Sequence, residues 1–67
     1  MNMIPVSSSN LSAVGYENGI LYIRFHGGQL YCYYGVPEFV YEELMSAQSH
    51  GKYFAANIRY AYRYQKL

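Results

Sequence analysis

Apolar and polar positions alternate through the first half of the chain and then switch to a helical spacing, so a sheet-forming part precedes a helix-forming part. After the polar cluster Ser7, Ser8, Ser9 and Asn10, the run Leu11 to Tyr16 predicts a first strand. Glu17, Asn18 and Gly19 supply a turn, because Asn and Gly tolerate positive φ. The run Ile20 to His26 comes next, with Leu21, Ile23 and Phe25 on one face and Tyr22, Arg24 and His26 on the other; the apolar set is the core face. Gly27 and Gly28 turn the chain into a third strand, Gln29 to Gly35, whose faces carry Tyr31 and Tyr33 on one side and Leu30, Cys32 and Tyr34 on the other. A two-residue turn pairs Phe25 with Leu30 and Ile23 with Cys32. A loop one residue longer pairs Phe25 with Tyr31 and Ile23 with Tyr33, and a slip of one residue moves every side chain to the opposite face, so periodicity leaves the register open.

Beyond Gly35 the period becomes helical. Pro37 suits a first helical turn and Glu38 complements the dipole there. Val40, Leu44 and Ala47 form an apolar stripe with Tyr41 and Met45 beside it, and Glu42 and Glu43 face solvent. Ser49 caps a second predicted helix from His50 toward Tyr64. At about 100° per residue, that helix sorts Phe54, Ile58, Ala61, Tyr62 and Gln65 into a core stripe and Tyr53, Tyr60 and Tyr64 into an aromatic one. Lys52, Arg59, Arg63 and Lys66 form a third, basic stripe. The fold expected is α+β: a three-stranded antiparallel meander over residues 10–35 with two helices over 37–64 packed on one face. Residues 1–9 are expected to be a flexible lead-in to one domain spanning 1–67.

Sixty-seven residues permit a single core, and ten Tyr with three Phe supply much of it, since each ring can bury roughly 150 to 250 Å². The lone Cys32 has no disulfide partner and no secretory signal or membrane-length apolar run stands out, which fits a reducing cytoplasmic compartment. Charge is distributed unevenly. Up to Ser49, Arg24 stands against Glu17, Glu38, Glu42 and Glu43, whereas from His50 onward there are four cations and no acid.

The order Ser8, Ser9, Asn10, then Ala13, Val14, Gly15, Tyr16, then Phe25, Gly28, Tyr31, Cys32, Tyr33, then Val36, Pro37, Val40, Tyr41, and finally Ser49, Gly51, Tyr53, Phe54, Ile58 resembles the KTSC domain. That family is named for its place at the C-terminus of some lysyl-tRNA synthetases, and it also occurs as small stand-alone bacterial and phage proteins. Its central Tyr-x-Tyr motif is matched by Tyr31 and Tyr33. Ala55 stands where the family usually carries Asn after the helix Phe, and Asn57 lies two residues on. The synthetase association implies RNA as a ligand. The aromatic pair favours the longer loop, with Tyr31 and Tyr33 on the core face and Tyr22, Arg24, Cys32 and Tyr34 outside.

Catalytic and metal chemistry find little to work with. Cys32 with His26 or His50 lacks a strand-to-helix elbow or a glycine-rich oxyanion loop. Glu38, Glu42 and Glu43 read as helix-surface acids, and two histidines with one cysteine offer no recognisable ligand spacing. Gly27 and Gly28 sit within a hairpin, where phosphate loops do not occur. The expectation is therefore a non-catalytic binding module without metal, cofactor or membrane partner. Lys52, Arg59, Arg63 and Lys66 would meet RNA phosphates, and Tyr60, Tyr64, Tyr22 and Tyr34 would stack on bases. The alternative is a protein-interaction module or homodimer that uses exposed Tyr22, Tyr34, Tyr60 and Met45.

Overall fold

The computed structural model describes residues 2–67. It is an α+β fold in which a five-stranded antiparallel sheet in the order β1-β2-β3-β4-β5 carries two helices on one face. The strands are β1 (Ile4–Pro5), β2 (Leu11–Glu17), β3 (Ile20–Phe25), β4 (Leu30–Tyr33) and β5 (Tyr64–Lys66). The helices are α1 (Glu38–Ser46) and α2 (His50–Asn57).

The central hairpin obeys its sequence closely. Asn18 and Gly19 both have positive φ, 53° and 78°, and Glu17 pairs with Ile20, which is the geometry a two-residue turn needs to match strand twist. The meander gains an edge strand on each side. β1 lies within the segment expected to be flexible and pairs Ile4 with Val14 and Pro5 with Ala13; proline is tolerated there because an edge strand needs no donor on its open side.

The β3–β4 register differs from both alternatives read from the sequence. Leu21 faces Tyr33, Tyr22 faces Cys32 and Ile23 faces Tyr31, and the Phe25 amide donates to the Gln29 carbonyl at 2.9 Å across a loop of three residues, His26 to Gly28. This register keeps Tyr31 and Tyr33 on the core face, as the longer loop does, while shifting each partner by two. Gly27 and Gly28, at φ 99° and 94°, make so tight a return feasible.

The outward face is less open than expected. Cys32 lies on it and is nevertheless buried. Its register neighbours are Tyr22 and Gln65, and the Tyr34 hydroxyl donates to Gln65 Oε1 at 2.8 Å. These bulky neighbours cover a small thiol even on the side away from the helices.

The second helix is shorter than its periodicity predicts. Ser49 caps it by accepting from the Lys52 amide, but it ends at Asn57 and gives way to a turn closed by Arg59 N to Phe54 O and Ala61 N to Ile58 O. The chain then becomes β5, held to β4 by Tyr34 N to Arg63 O and Leu67 N to Leu30 O. The open edge of β4 offers Tyr64–Lys66 a ladder of backbone hydrogen bonds, whereas one helix would set Arg59 and Arg63 four residues apart as like charges. The basic and tyrosine stripes therefore do not form.

The core is formed by Leu11, Val14, Leu21, Ile23 and Tyr33 from the sheet with Val36, Val40, Leu44, Phe54 and Ile58. Val40, Leu44 and Phe54 are buried on the helices as the apolar spacing predicts, and Ile58, just past the end of α2, is buried with them.

Candidate nucleic-acid interface

Where β3 ends and β4 begins, the helix-covered face of the sheet opens into a groove of about 670 Å³. Its floor is aromatic: Phe25, Tyr31, Tyr33 and Phe54. Alternation on β3 and β4 brings the first three to the same face, and α2 delivers Phe54 between them. Phe54 meets Phe25 edge-on at 5.6 Å and Tyr33 at 5.4 Å, and Phe25 meets Tyr31 at 5.5 Å. These separations fit the edge-to-face arrangement that aromatic quadrupoles favour.

The polar side comes from the turn before β2 and the β3–β4 loop, through Ser9, Asn10, His26 and Gln29. Ser8 organises that turn, its Oγ accepting from the Asn10 and Leu11 amides. His26 Nε2 donates to the Ser8 carbonyl at 2.7 Å, and the His26 amide donates to the Asn10 carbonyl, which ties the loop to the turn. Gly51 lets α2 seat against the same turn: a Cβ there would lie 3.4 Å from both Asn10 Nδ2 and Ser8 Oγ.

The opposite side is Ala55 with Arg59, Tyr60 and Tyr64. Because α2 stops early, Arg59 and Tyr60 project from a turn at the rim. Tyr60 is 86% exposed and Tyr64 59%, and the Arg59 guanidinium lies 5.2 Å from the centre of the Tyr60 ring. β5 sets Tyr64 opposite Tyr33, and the Tyr64 ring is tilted on both Tyr31 and Tyr33 at 6.0 and 5.8 Å. Burial pushes the Tyr33 hydroxyl up to about 12, reinforced by neighbouring Tyr31 and opposed by Arg59. The lining holds one cation and no carboxylate.

The residues expected to act together are thus distributed over the molecule. Arg59, Tyr60 and Tyr64 share the groove with Tyr31 and Tyr33, and Lys66 is exposed on β5 opposite Tyr31. Lys52, Arg63 and Lys66 do not line it, but Lys66 is set beside the lining by its pairing with Tyr31, whereas Lys52 and Arg63 pair with no lining residue. Tyr22 belongs to the other face of the sheet, and Tyr34 reaches Gln65 on that side. The tyrosine patch of the alternative reading is divided accordingly, since Tyr60 rims the groove while Met45 packs against the core. Asn10, His26, Gln29 and Gly51 carry no local signal that marks them for a site. Asn10 and Gly51 belong to the residue order that resembles the family, but only the fold brings them together.

The KTSC domain family model matches residues 7–62. The chain belongs to the KTSC domain family. A crystal structure of a KTSC domain protein from Yersinia pestis superposes with a TM-score of 0.93 at 38% identity, covering 98% of this chain and 96% of that one. A protein of Tsukamurella paurometabola is 40% identical over 63 residues, 91% of this chain and 94% of its own length. An uncharacterized protein of Stutzerimonas stutzeri is 39% identical over 56 residues, covering 81% and 79%. In this KTSC domain the Tyr-x-Tyr pair is part of the groove floor. Among the described residues no helix is long and apolar enough to cross a membrane, and no three His, Cys, Asp or Glu are grouped to hold a metal ion.

Proposed function

We propose that this KTSC domain is a non-catalytic module of the cytoplasm that binds single-stranded RNA in the groove between the β3–β4 loop and the turn after α2. One observation carries the reading: two highly exposed tyrosine rings and an arginine rim an aromatic-floored groove whose lining has no acid. Unpaired bases stack on such rings, and a cation beside them meets the phosphate backbone. Tyr60 and Tyr64 are the stacking platforms, and Arg59 with Lys66 are the phosphate contacts. Cys32 is buried on the other face of the sheet and does not line the groove.

Titration of labelled single-stranded RNA at several salt concentrations tests this. Two phosphate contacts give a slope of log affinity against log salt near −1.4, from about 0.7 for each neutralised phosphate. Arg59→Ala should reduce that slope by roughly half while the melting temperature barely moves, because an exposed cation contributes little to stability. Absent or salt-insensitive binding would overturn the RNA reading and favour a protein partner or a second copy of the chain.

A further inference from the structure

Two carboxamides line the groove, Asn10 from the turn before β2 and Gln29 from the β3–β4 loop. Both residues are exposed, and neither side chain makes a hydrogen bond among the described residues. Elsewhere Asn57 Nδ2 donates to the Tyr53 carbonyl and Gln65 Oε1 accepts from Tyr34, while the free amides of Asn18 and Gln48 lie outside the groove lining. The groove therefore sets unengaged amides across from the stacking rings of Tyr60 and Tyr64.

Resting on the reading of the groove as a single-stranded RNA site, we infer that it selects adenine. A carboxamide presents a donor and an acceptor side by side, and adenine N7 and its N6 amino group present the complementary pair on one edge. A purine also overlaps a tyrosine ring more fully than a pyrimidine does. Guanine offers two acceptors on the corresponding edge, the pattern that suits an arginine fork; here Arg59 lies over the Tyr60 ring, placed for backbone and stacking contacts. Asn10 and Gln29 supply the base selectivity, and Arg59 supplies affinity that is indifferent to sequence.

The test compares short single-stranded homopolymers of adenosine, uridine, cytidine and inosine with the intact chain. Adenosine should bind more tightly by about fivefold or more, the lower end of the discrimination a bidentate pair gives. Replacing adenine by 7-deazaadenine, which removes the N7 acceptor, should abolish most of that preference. Asn10→Ala with Gln29→Ala should remove the adenosine advantage and level the homopolymers, and Gln29→Ala alone, on an exposed loop, guards against a folding defect. Equal affinities, a uridine or inosine preference, or a preference that survives the double substitution overturns the adenine assignment and leaves RNA binding standing. No binding to any homopolymer removes both readings.

Discussion

The two ends of the β2–β3 hairpin use tyrosine in opposite ways. At the turn end, Tyr16 stacks on Tyr41 of α1 with ring centres 4.9 Å apart and planes within 13°, and its hydroxyl donates to the Val36 carbonyl at 2.5 Å. The ring is packed and the polar tip is satisfied. At the other end, past Phe25, the aromatic cluster continues into Tyr31 and Tyr64 and stops at solvent, with Tyr60 exposed beyond it. The difference lies in the helix that covers each cluster: α1 runs directly over Tyr16, whereas α2 ends at Asn57 and leaves its side of the sheet uncovered. One end closes the core, and the other offers the same ring chemistry to a ligand.

Phe54 joins the two uses, since it is a core residue and also part of the groove floor. Phe54→Ala should have the largest effect, costing roughly 3 to 5 kcal/mol for a buried aromatic removed from between two edge-on partners. Chemical denaturation would measure it. A cost under about 1 kcal/mol would mean that the open end is not anchored in the core at all.

Alkali probes the same boundary. Burial raises Tyr33 to about 12, and the hydrogen bond from Tyr53 to Glu43, at 2.5 Å, raises Tyr53 to about 12. Both folded values lie above the ordinary 10.0, so the stability they contribute is fully present below pH 10 and is lost as the pH rises toward 12. Ultraviolet difference titration should show a late tyrosine phase above pH 10 from Tyr33 and Tyr53, with unfolding accompanying it. Tyr33→Phe should weaken that late alkaline loss; an unchanged profile would show that Tyr33 does not control it.

The meander, the Asn18–Gly19 turn, both helix starts and the helix core residues can be read from local pattern, because turn chemistry, capping and apolar spacing act within a few residues. The end of α2 cannot. Tyr64, Gln65 and Lys66 fit a helical stripe as well as a strand, and the deciding partner is the edge of β4, more than thirty residues earlier. The groove is hidden for the same reason: Asn10, Phe25, Gly51 and Tyr64 come from four parts of the chain. Cys32 illustrates the limit of alternation, which places a side chain on a face without saying whether neighbours such as Tyr22 cover it.

At the closed end, Tyr16→Phe keeps the stack on Tyr41 and removes only the hydroxyl's bond to Val36. The expected loss is about 1 kcal/mol, increased if the Val36 carbonyl is left without a partner. RNA affinity should not change. A fall in affinity would mean that the two ends are coupled through the sheet.

The smallest expected effect separates the groove from the basic stripe that helical periodicity implies. A continuous helix to Tyr64 would align Lys52, Arg59, Arg63 and Lys66, and removing any two would flatten the salt dependence alike. In the observed fold Lys52 lies on the first turn of α2 and Arg63 precedes β5, both outside the lining, whereas Arg59 is at the rim. Lys52→Ala combined with Arg63→Ala should therefore leave the melting temperature and the salt slope nearly unchanged, since exposed cations contribute little to stability and only those at phosphates release counterions. The net charge falls by two in this variant, so a slope that depends only on overall charge would drop by as much as in Arg59→Ala with Lys66→Ala. Comparing the two double variants by oligonucleotide titration distinguishes a localised groove from diffuse attraction: equal losses would remove the groove's claim to the site, and a loss confined to the Arg59 and Lys66 pair places the phosphates along its rim.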